Sequence, residues 1–276
     1  MHKLEETLAR YPSHRSRRRP ATAALITGAT GGIGEAFARA LPDETALILT
    51  GRDEETLARI AATLGSERSV KTVAADLATE EGRATVIHAA NEAEVDLLIN
   101  NAGLGEYGPF LDASFEAHLT TLRVNIESYL ALIHALVPQM ITRAELADAR
   151  AGLINMSSST AFVPVPTFAT YAASKSFILA FTESLAAELY EKPIDVLVSC
   201  PGAVRTEFGR RAGYERGSLP GAMSPERVAR GTLAALGRQT TVVLGTASAA
   251  AFTPVALARG LFGQAFMRAS RAMERF

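Results

Sequence analysis

Short apolar segments alternate with longer segments of helical periodicity along most of the chain. Most of the short segments are apolar on both faces, which is typical of strands buried in a parallel sheet. They lie at residues 23–27, 46–50, 70–75, 96–100, 152–156, 195–200 and 240–244. Between them, apolar residues recur three and four positions apart, as in amphipathic helices. These helical segments span residues 33–41, 54–64, 80–90, 114–140, 171–190 and 225–236.

This alternation predicts repeated strand–helix–strand units. Parallel strands need long crossover connections, and such crossovers are almost always right-handed. We therefore predict an α/β fold: a doubly wound parallel seven-stranded sheet of the Rossmann type with helices on both faces. Composition does not change over residues 21–276, so we expect one domain across that range.

Two segments near the end of the chain depart from the regular alternation. Residues 203–224 follow the sixth predicted strand and lack periodicity. Loops at the carboxyl ends of parallel strands hold ligands, so we interpret this segment as a substrate lid. Residues 254–276 are predicted to form a C-terminal helical tail that docks on its own subunit or a partner, with a membrane surface as the alternative. Its apolar stripe is Phe262, Phe266, Ala269, Met273 and Phe276.

Charge excludes one broad class of function. The chain has 28 Lys and Arg against 29 Asp and Glu, a net charge of -1, so the whole protein is not an electrostatic nucleic-acid binder. Residues 1–20 form a basic N-terminal arm with four arginines between positions 15 and 19. We interpret the arm as solvated; contact with nucleic acid or an anionic membrane is the alternative.

Cysteine and histidine usage gives no indication of a metal or a disulfide. Cys200 is the single cysteine, and the five histidines are dispersed without ligand spacing, so we expect no metal site. Residues 1–20 lack the apolar segment of a secretory signal. The most apolar stretch, 242–258, is interrupted by polar residues and Pro254. We therefore expect a soluble, cytoplasmic protein without a membrane span.

A glycine cluster joins the first predicted strand to the first predicted helix. Gly28, Gly32 and Gly34 lie where a tight turn, close approach to a pyrophosphate and close helix packing each exclude a side chain. A helix N-terminus also offers free N–H groups to phosphate. The sequence therefore predicts a dinucleotide site here, written T-G-x-x-x-G-x-G over residues 27–34.

Further motifs follow the other strands in order, and with them the chain resembles the short-chain dehydrogenase/reductase family over about residues 21–245. They are Asp76-Leu77, Asn100-Asn101-Ala102-Gly103, Tyr171 with Lys175, and Pro201-Gly202 with Val204 and Thr206. The resemblance implies a set of cofactor-binding residues. These are Gly28, Thr30, Gly32, Ile33, Gly34, Arg52, Asp76, Leu77, Asn101, Ala102, Gly103, Tyr171, Lys175, Pro201, Gly202, Val204 and Thr206.

Four side chains are the candidate catalytic residues. Tyr171 and Lys175 are four apart and share one face of a helix, where an ammonium lowers the pKa of a tyrosine and suits it to acid–base work. An ordinary amphipathic helix would show the same spacing. The resemblance adds Ser158, 13 positions before Tyr171, to orient a substrate carbonyl. It also adds Asn125, which holds a water linked to the lysine in the family.

The implied reaction is hydride transfer between a nicotinamide and a carbonyl or alcohol carbon. NAD-selective members of the family carry an acid at the end of the second strand; this chain has Gly51 there, followed by Arg52. A guanidinium can bind a 2′-phosphate, so we expect NADP(H), with NAD(H) as the alternative. We interpret Asp53 as a helix cap. A nucleotide-sensing or scaffold protein without turnover is the alternative function.

Substrate and assembly are less defined. The candidate pocket walls are mostly apolar, which suits a mid-sized ketone, aldehyde or 3-oxoacyl compound: Leu104, Tyr107, Phe162, Val163, Phe168 and Phe208. The lid also carries charges that could meet an anionic substrate tail but are more typical of a solvated loop: Arg205, Glu207, Arg210, Arg211, Glu215 and Arg216. The resemblance implies a homodimer or homotetramer through the helices around Asn125 and Tyr171.

Overall fold

A computed structural model of the chain describes residues 20–65, 67–213 and 221–273, except for the side chains of 261 and 263–273. Residues 1–19 of the predicted basic arm therefore lie outside the described residues. The same holds for Glu215 and Arg216 of the lid and for the tail side chains beyond Phe262.

Seven parallel strands form one sheet in the order β3-β2-β1-β4-β5-β6-β7, which confirms the predicted doubly wound fold. Every strand begins and ends within one residue of its predicted position. The strands are β1 (Ala23–Thr27), β2 (Ala46–Gly51), β3 (Val70–Ala74), β4 (Leu97–Asn100), β5 (Ala151–Met156), β6 (Ile194–Pro201) and β7 (Thr241–Leu244).

Helices cover both faces of this sheet. They are α1 (Gly32–Ala40), α2 (Glu54–Thr63), α3 (Glu80–Glu92), α4 (Phe115–Leu122), α5 (Ser128–Leu146), α6 (Ala169–Glu188), α7 (Phe208–Arg211), α8 (Pro225–Ala235) and α9 (Thr246–Met273). Side-chain oxygens cap the N-termini of α2, α3, α4 and α8 by accepting from a backbone N–H three residues on. The capping residues are Asp53, Thr79, Ser114 and Ser224.

The core consists of two apolar layers, one on each face of the sheet. Side chains alternate along a strand, so Ile26 faces one layer and its neighbour Leu25 faces the other. α1, α2 and α8 complete the first layer, where Phe37 is fully buried. α3, α5 and α6 complete the second, around Leu136. Burial on both faces explains why most of the short segments are apolar throughout, and the largely exposed edge strand β3 is the exception.

The predicted helix over residues 114–140 is interrupted. α4 ends at Leu122, a wider π-helical turn spans Arg123–Glu127, and α5 begins at Ser128. A π turn adds a single residue to a helical turn. This insertion does not visibly change a pattern of apolar residues three and four positions apart, so the sequence does not predict it. The turn carries Asn125, which is fully buried.

The C-terminal helix is longer than the predicted tail, because α9 begins at Thr246 rather than at residue 254. Glu183 of α6 fastens it: the carboxylate accepts from Arg259 Nε at 2.9 Å and from Thr241 Oγ1 of β7 at 2.9 Å. In the part of the chain that the structure describes, no helix has the length and apolar character needed to cross a membrane.

The two ends of the lid segment, residues 203–224, are joined by backbone and side-chain contacts. Val204 pairs with Met223 in a parallel bridge, and Arg205 Nη1 donates to Ala222 O at 2.9 Å. Between these two ends the chain forms α7. The backbone N–H of Tyr107, in the loop after β4, donates to Ala212 O just past α7 at 2.7 Å.

Candidate active site

The glycine loop has no room for side chains at two positions. Gly28 has φ +64, and a Cβ there would lie 2.8 Å from Ala102 Cα. A Cβ at Gly34 would overlap Gly28 O. The N-terminus of α1, at Gly31, has no side-chain cap, unlike those of α2, α3, α4 and α8. No side chain caps the first N–H groups of α1, so they are available to bind an anion. The loop therefore fits a dinucleotide pyrophosphate.

Hydrogen bonds join the ends of β1 and β4 beside this loop. Thr27 Oγ1 accepts from Asn101 N at 2.9 Å and from Ala102 N at 3.0 Å. Asn101 Nδ2 donates to Thr27 O at 2.9 Å. The Asn101 amide, which the sequence assigns to cofactor binding, thus also holds the crevice at the point where the strand order reverses. Ligands of open α/β sheets bind at that point.

The second strand ends as the sequence predicts. Asp53 Oδ1 accepts from Thr56 N at 2.9 Å and caps α2. Arg52 is exposed. A Cβ at Gly51 would lie 2.8 Å from Thr30 Cγ2, so Thr30 of the glycine loop packs directly on Gly51.

The structure brings the four candidate catalytic residues together at the carboxyl ends of β4 and β5. Ser158 follows β5, and its hydroxyl lies near enough to the phenol of Tyr171 in α6 to lower the pKa of that group. A Cβ at Gly103 would lie 3.2 Å from Lys175 Nζ and 3.5 Å from Asn125 Oδ1. The absence of a side chain at Gly103 therefore lets the lysine and the asparagine approach the same loop.

Asn125 is bonded wholly within the protein. Its Oδ1 accepts from Leu104 N at 2.8 Å, and its Nδ2 donates to Leu104 O at 2.8 Å and to Ser174 Oγ at 2.9 Å. Both amide hydrogens are used by protein acceptors. Asn125 therefore fixes the position of the loop after β4. This structural role is additional to the expected one, in which the residue holds a water linked to Lys175.

Lys175 is buried against the end of β5. Its Nζ donates to Met156 O at 3.0 Å and lies 5.6 Å from the ring centroid of Tyr129. Burial lowers the pKa of Lys175 to about 8. Ser157 Oγ donates to Lys175 O at 2.7 Å and fastens this turn of α6 to β5. From the sequence, Ser157 looks like an ordinary polar loop residue. Its structural role depends on its burial, which the sequence pattern does not show.

The pKa of Tyr171 is displaced in the direction opposite to the prediction. Burial raises it to about 12, against a smaller lowering by the hydrogen bond with Ser158. The expected lowering by Lys175 is wrong for this structure, because Nζ lies 5.7 Å from the Tyr171 ring centroid and desolvation of the phenolate dominates. The phenol therefore keeps its proton at neutral pH.

Aromatic rings surround Tyr171. Its ring centroid lies 5.4 Å from that of Phe168 and 5.2 Å from that of Phe208, and Phe168 lies 5.3 Å from Tyr107. A Cβ at Gly105 would lie 3.0 Å from Tyr171 Cδ2 and 3.1 Å from Phe208 Cζ. Gly105 thus permits the contact between the two rings, which sequence reasoning did not identify.

The other predicted wall residues are placed differently, and Leu104 packs partly buried against the core. Phe162 stacks on Phe252 of α9 at 5.1 Å, and Val163 is exposed. In the lid, Arg210 forms an ion pair with Glu207. The apolar surface near Tyr171 is therefore mainly aromatic.

Among the described residues, no group of three or more His, Cys, Asp and Glu side chains could hold a metal ion. His118, in α4, is buried and uses both ring nitrogens: one lies 3.0 Å from Phe110 O and the other 3.0 Å from Thr170 Oγ1. It is a structural residue.

The sequence of this chain matches the model of one protein family. The model of the short chain dehydrogenases matches residues 22–216. This chain belongs to the short-chain dehydrogenase/reductase family. It is therefore an oxidoreductase.

Relatives within this family have different substrates and coenzymes. Sulfoacetaldehyde reductase 2 of Chromohalobacter salexigens is 36% identical over 188 residues, 67% of this chain and 73% of that protein. A short-chain dehydrogenase from Sphingobium yanoikuyae in complex with NADPH is 30% identical with a TM-score of 0.75, over 87% of this chain and 94% of that one. The 3-ketoacyl-(acyl-carrier-protein) reductase of Brucella melitensis, complexed with NADH, is 26% identical with a TM-score of 0.72, over 81% and 96%.

Proposed function

We propose that this protein reduces mid-sized, apolar ketones, aldehydes or 3-oxoacyl compounds with NADPH. The observation that carries the proposal is the placement of the Ser158 hydroxyl near the Tyr171 phenol, beside the aromatic rings of Phe168 and Phe208. A hydroxyl pair next to apolar surface suits a substrate with one polar carbonyl and an apolar body.

The coenzyme would be held by the loops at the carboxyl ends of the strands, through the residues that the family resemblance assigns. The uncapped N-terminus of α1 would bind its pyrophosphate. Gly103 leaves space beside Lys175 Nζ. When bound, the nicotinamide supplies the hydride that reduces the carbonyl carbon.

The protein supplies the proton and the orientation. The Ser158 hydroxyl donates to the carbonyl oxygen, and Tyr171 transfers its phenolic proton to the same oxygen as negative charge develops there. Burial raises the pKa of Tyr171 to about 12, so the phenol holds its proton near neutral pH and is present as the acid that reduction requires. The nearby Lys175, when protonated, stabilises the phenolate that remains.

Charge at the end of β2 supports NADPH over NADH. Arg52 is exposed, and the residue before it, Gly51, carries no carboxylate that would repel a 2′-phosphate. Fluorescence titration of the wild type and Arg52→Ala with both coenzymes tests this. We expect the variant to lose NADPH affinity strongly with little change for NADH. A wild type that binds NADH tighter than NADPH contradicts the proposal.

Turnover is tested with a panel of ketones, aldehydes and acyl thioesters. In Tyr171→Phe we expect turnover to fall at least about a hundredfold while coenzyme affinity is kept, because the ring remains and only the proton donor is lost. Tyr190→Phe, the same change just past α6, is the matched control. Coenzyme binding without turnover of any panel member would favour the nucleotide-sensing alternative instead.

We also propose that the chain forms a homodimer or homotetramer through α4, α5 and α6. These helices expose large apolar side chains: Phe115 at 73%, Leu146 at 84% and Phe177 at 40%. Exposed apolar surface on neighbouring helices is typical of an interface. Sedimentation as a monomer across micromolar concentrations would contradict the assembly.

A further inference from the structure

Three aromatic side chains, Tyr107, Phe168 and Phe208, form a connected set around the candidate proton donor. The ring of Tyr171 contacts those of Phe168 and Phe208, with centroids 5.4 Å and 5.2 Å away. Tyr107 extends the set, because its ring centroid lies 5.3 Å from that of Phe168. Phe168 and Phe208 are half-buried and Tyr107 is exposed, so part of this aromatic set remains accessible to a ligand.

Backbone hydrogen bonds tie together the three segments that carry the aromatic set. These segments are the loop after β4, the residues just before α6, and α7. The N–H of Tyr107 donates to Ala212 O, just past α7, at 2.7 Å. The N–H of the next residue, Gly108, donates to Thr167 O, just before Phe168, at 2.9 Å. The loop after β4 therefore fixes the two other segments relative to each other.

The residue before Phe168 has a strained backbone. Thr167 has φ +66, a left-handed conformation that a β-branched residue rarely adopts. Such strain persists only where the surrounding structure enforces it, and it clusters at ligand sites. Here the bond from Gly108 holds the strained peptide, and the turn brings the next residue, Phe168, against Tyr171. The strain thus accompanies the placement of an aromatic ring beside the proton donor.

A substrate carbonyl would lie within reach of these rings. Its oxygen must come within hydrogen-bond distance of the Tyr171 phenol, about 2.7 Å. A six-membered ring on the carbonyl carbon extends several ångströms from there, which is the scale of the spacing between Tyr171 and its aromatic neighbours. The backbone of Gly105 adds no side chain where Tyr171 meets Phe208. The first group that the aromatic set meets is therefore the substituent on the carbonyl.

The geometry of the aromatic set favours an aryl substituent. Neighbouring rings are tilted by 45–72°, so they present edges as well as faces. Aromatic ligands gain from such tilted contacts beyond the burial of their area, whereas an aliphatic group gains the burial alone. A cationic group, the other ligand of aromatic surfaces, would meet like charge, because Lys175 Nζ lies 5.7 Å from the Tyr171 ring centroid.

We propose that Tyr107, Phe168 and Phe208 recognise an aryl group on the carbonyl carbon, so that aryl ketones and aromatic aldehydes are the substrate class. This inference rests on the proposed reduction of a carbonyl at Tyr171. Phe168 and Phe208, which contact Tyr171 directly, determine the specificity, and Tyr107 supports Phe168. The aromatic set adds no step to the reaction; it holds the substrate.

Binding of two unreactive amides tests the aromatic set without turnover. Benzamide and cyclohexanecarboxamide share the carbonyl group and differ only in the ring, and the cyclohexyl ring is the more hydrophobic of the two. Calorimetric titration into the wild type, saturated with the coenzyme that it binds more tightly, compares their Kd values. We expect benzamide to bind at least about fivefold more tightly, the scale of two aromatic contacts.

Three variants locate the source of that preference. Phe168→Leu and Phe208→Leu keep an apolar side chain but remove the ring, so each should reduce the ratio of the two Kd values. Phe110→Leu is the matched control, since Phe110 is exposed on the loop after β4 and stacks on His118 outside the aromatic set. It should keep the wild-type ratio. Equal Kd values in the wild type, no binding of benzamide at millimolar concentrations, or a ratio unchanged in both Leu variants would overturn the assignment.

Turnover separates this inference from the proposed function. For acetophenone we expect Phe208→Leu to lower kcat/KM about fivefold, mainly through KM, and for cyclohexyl methyl ketone to change it much less. If the two ketones are reduced and lose equally in this variant, reduction stands and the aromatic assignment is wrong. If neither is reduced while benzamide keeps its ring-dependent preference, the aromatic site stands and carbonyl reduction is wrong.

Discussion

The side-chain amide of Asn125 pairs with the backbone of Leu104 in both directions, with Oδ1 accepting from N and Nδ2 donating to O, each at 2.8 Å. This is the pattern by which one strand residue pairs with another. It holds the loop that carries Gly103 beside Lys175. Since Asn125 is fully buried, each of these bonds lacks competition from water.

Asn125→Asp tests this pairing. The carboxylate has the same shape but cannot donate, so Leu104 O and Ser174 Oγ each lose a donor and a charge is buried. We expect the free energy of unfolding to fall by about 2–5 kcal/mol at pH 8. Protonation restores one donor, so part of the loss should be recovered at pH 5. Urea unfolding of the wild type and the variant at pH 5 and pH 8 measures these losses in the free energy of unfolding. Equal losses at the two pH values would contradict this explanation.

Gly51→Asp tests the selection of coenzyme at β2. A Cβ there would lie 2.8 Å from Thr30 Cγ2, and the carboxylate would repel a 2′-phosphate. We expect NADPH affinity to fall at least about tenfold and the protein to be destabilised. Adding Thr30→Ala relieves the steric part alone. The double variant should regain stability but not NADPH affinity, and recovery of both would show that the steric clash was the whole effect.

Arg68→Met tests a buried guanidinium. Its three nitrogens donate to Thr45 O, Ala38 O and Pro42 O at 2.9–3.1 Å, and its side chain is 2% exposed. Ala38 lies in the last turn of α1, where a cation also meets the negative end of the helix dipole.

Removing these donors leaves buried carbonyls unsatisfied, so we expect Arg68→Met to lower the free energy of unfolding by about 3 kcal/mol. The control is Arg39→Met, whose ion pair with Glu35 is exposed. It should cost well under about 1 kcal/mol. Denaturant titration of both variants compares them, and equal losses would show that the burial of Arg68 is not the cause.

Lys175→Met tests the buried ammonium through the pH dependence of stability. Burial lowers the pKa of Lys175 from 10.5 to about 8, so between those values the unfolded chain binds more protons than the folded one. The contribution of Lys175 to the free energy of unfolding therefore rises with pH across pH 8–10.5. We expect the free energy of unfolding of the wild type, relative to that of the variant, to rise by up to about 3 kcal/mol over this range.

Two other buried groups titrate near this range. Burial raises the pKa of Tyr171 and of Cys200, each to about 12, so the contribution of each group to the free energy of unfolding falls as the pH rises above its ordinary value. The Tyr171 loss is common to wild type and variant. The charge of Lys175 also lowers the pKa of Cys200, so the comparison is made with Cys200→Ala in both proteins. A stability difference that stays flat from pH 8 to 10.5 would contradict a depressed lysine pKa.

The strands and the placement of the four candidate catalytic residues were predictable, because each depends on apolar runs or on motifs at fixed spacing. The π turn at Asn125 was not, since it changes the helix without changing the composition. The environment of Tyr171 was also not predictable: spacing places Lys175 on the same face of α6, but only packing shows that desolvation outweighs its charge. Arg68 illustrates the same limit, as a charged residue in a polar segment that the fold buries completely.

The strand order has a consequence for how the chain is made. β1 lies between β2 and β4, so a ribosome that has released residues up to β3 leaves one edge of β1 without hydrogen bonds. That edge stays open until β4, ending at Asn100, emerges. After β4, each new strand pairs with the strand made just before it. The first three strands therefore form a sheet whose β1 edge is covered only after α3 has been made, and later synthesis extends that sheet at the same edge.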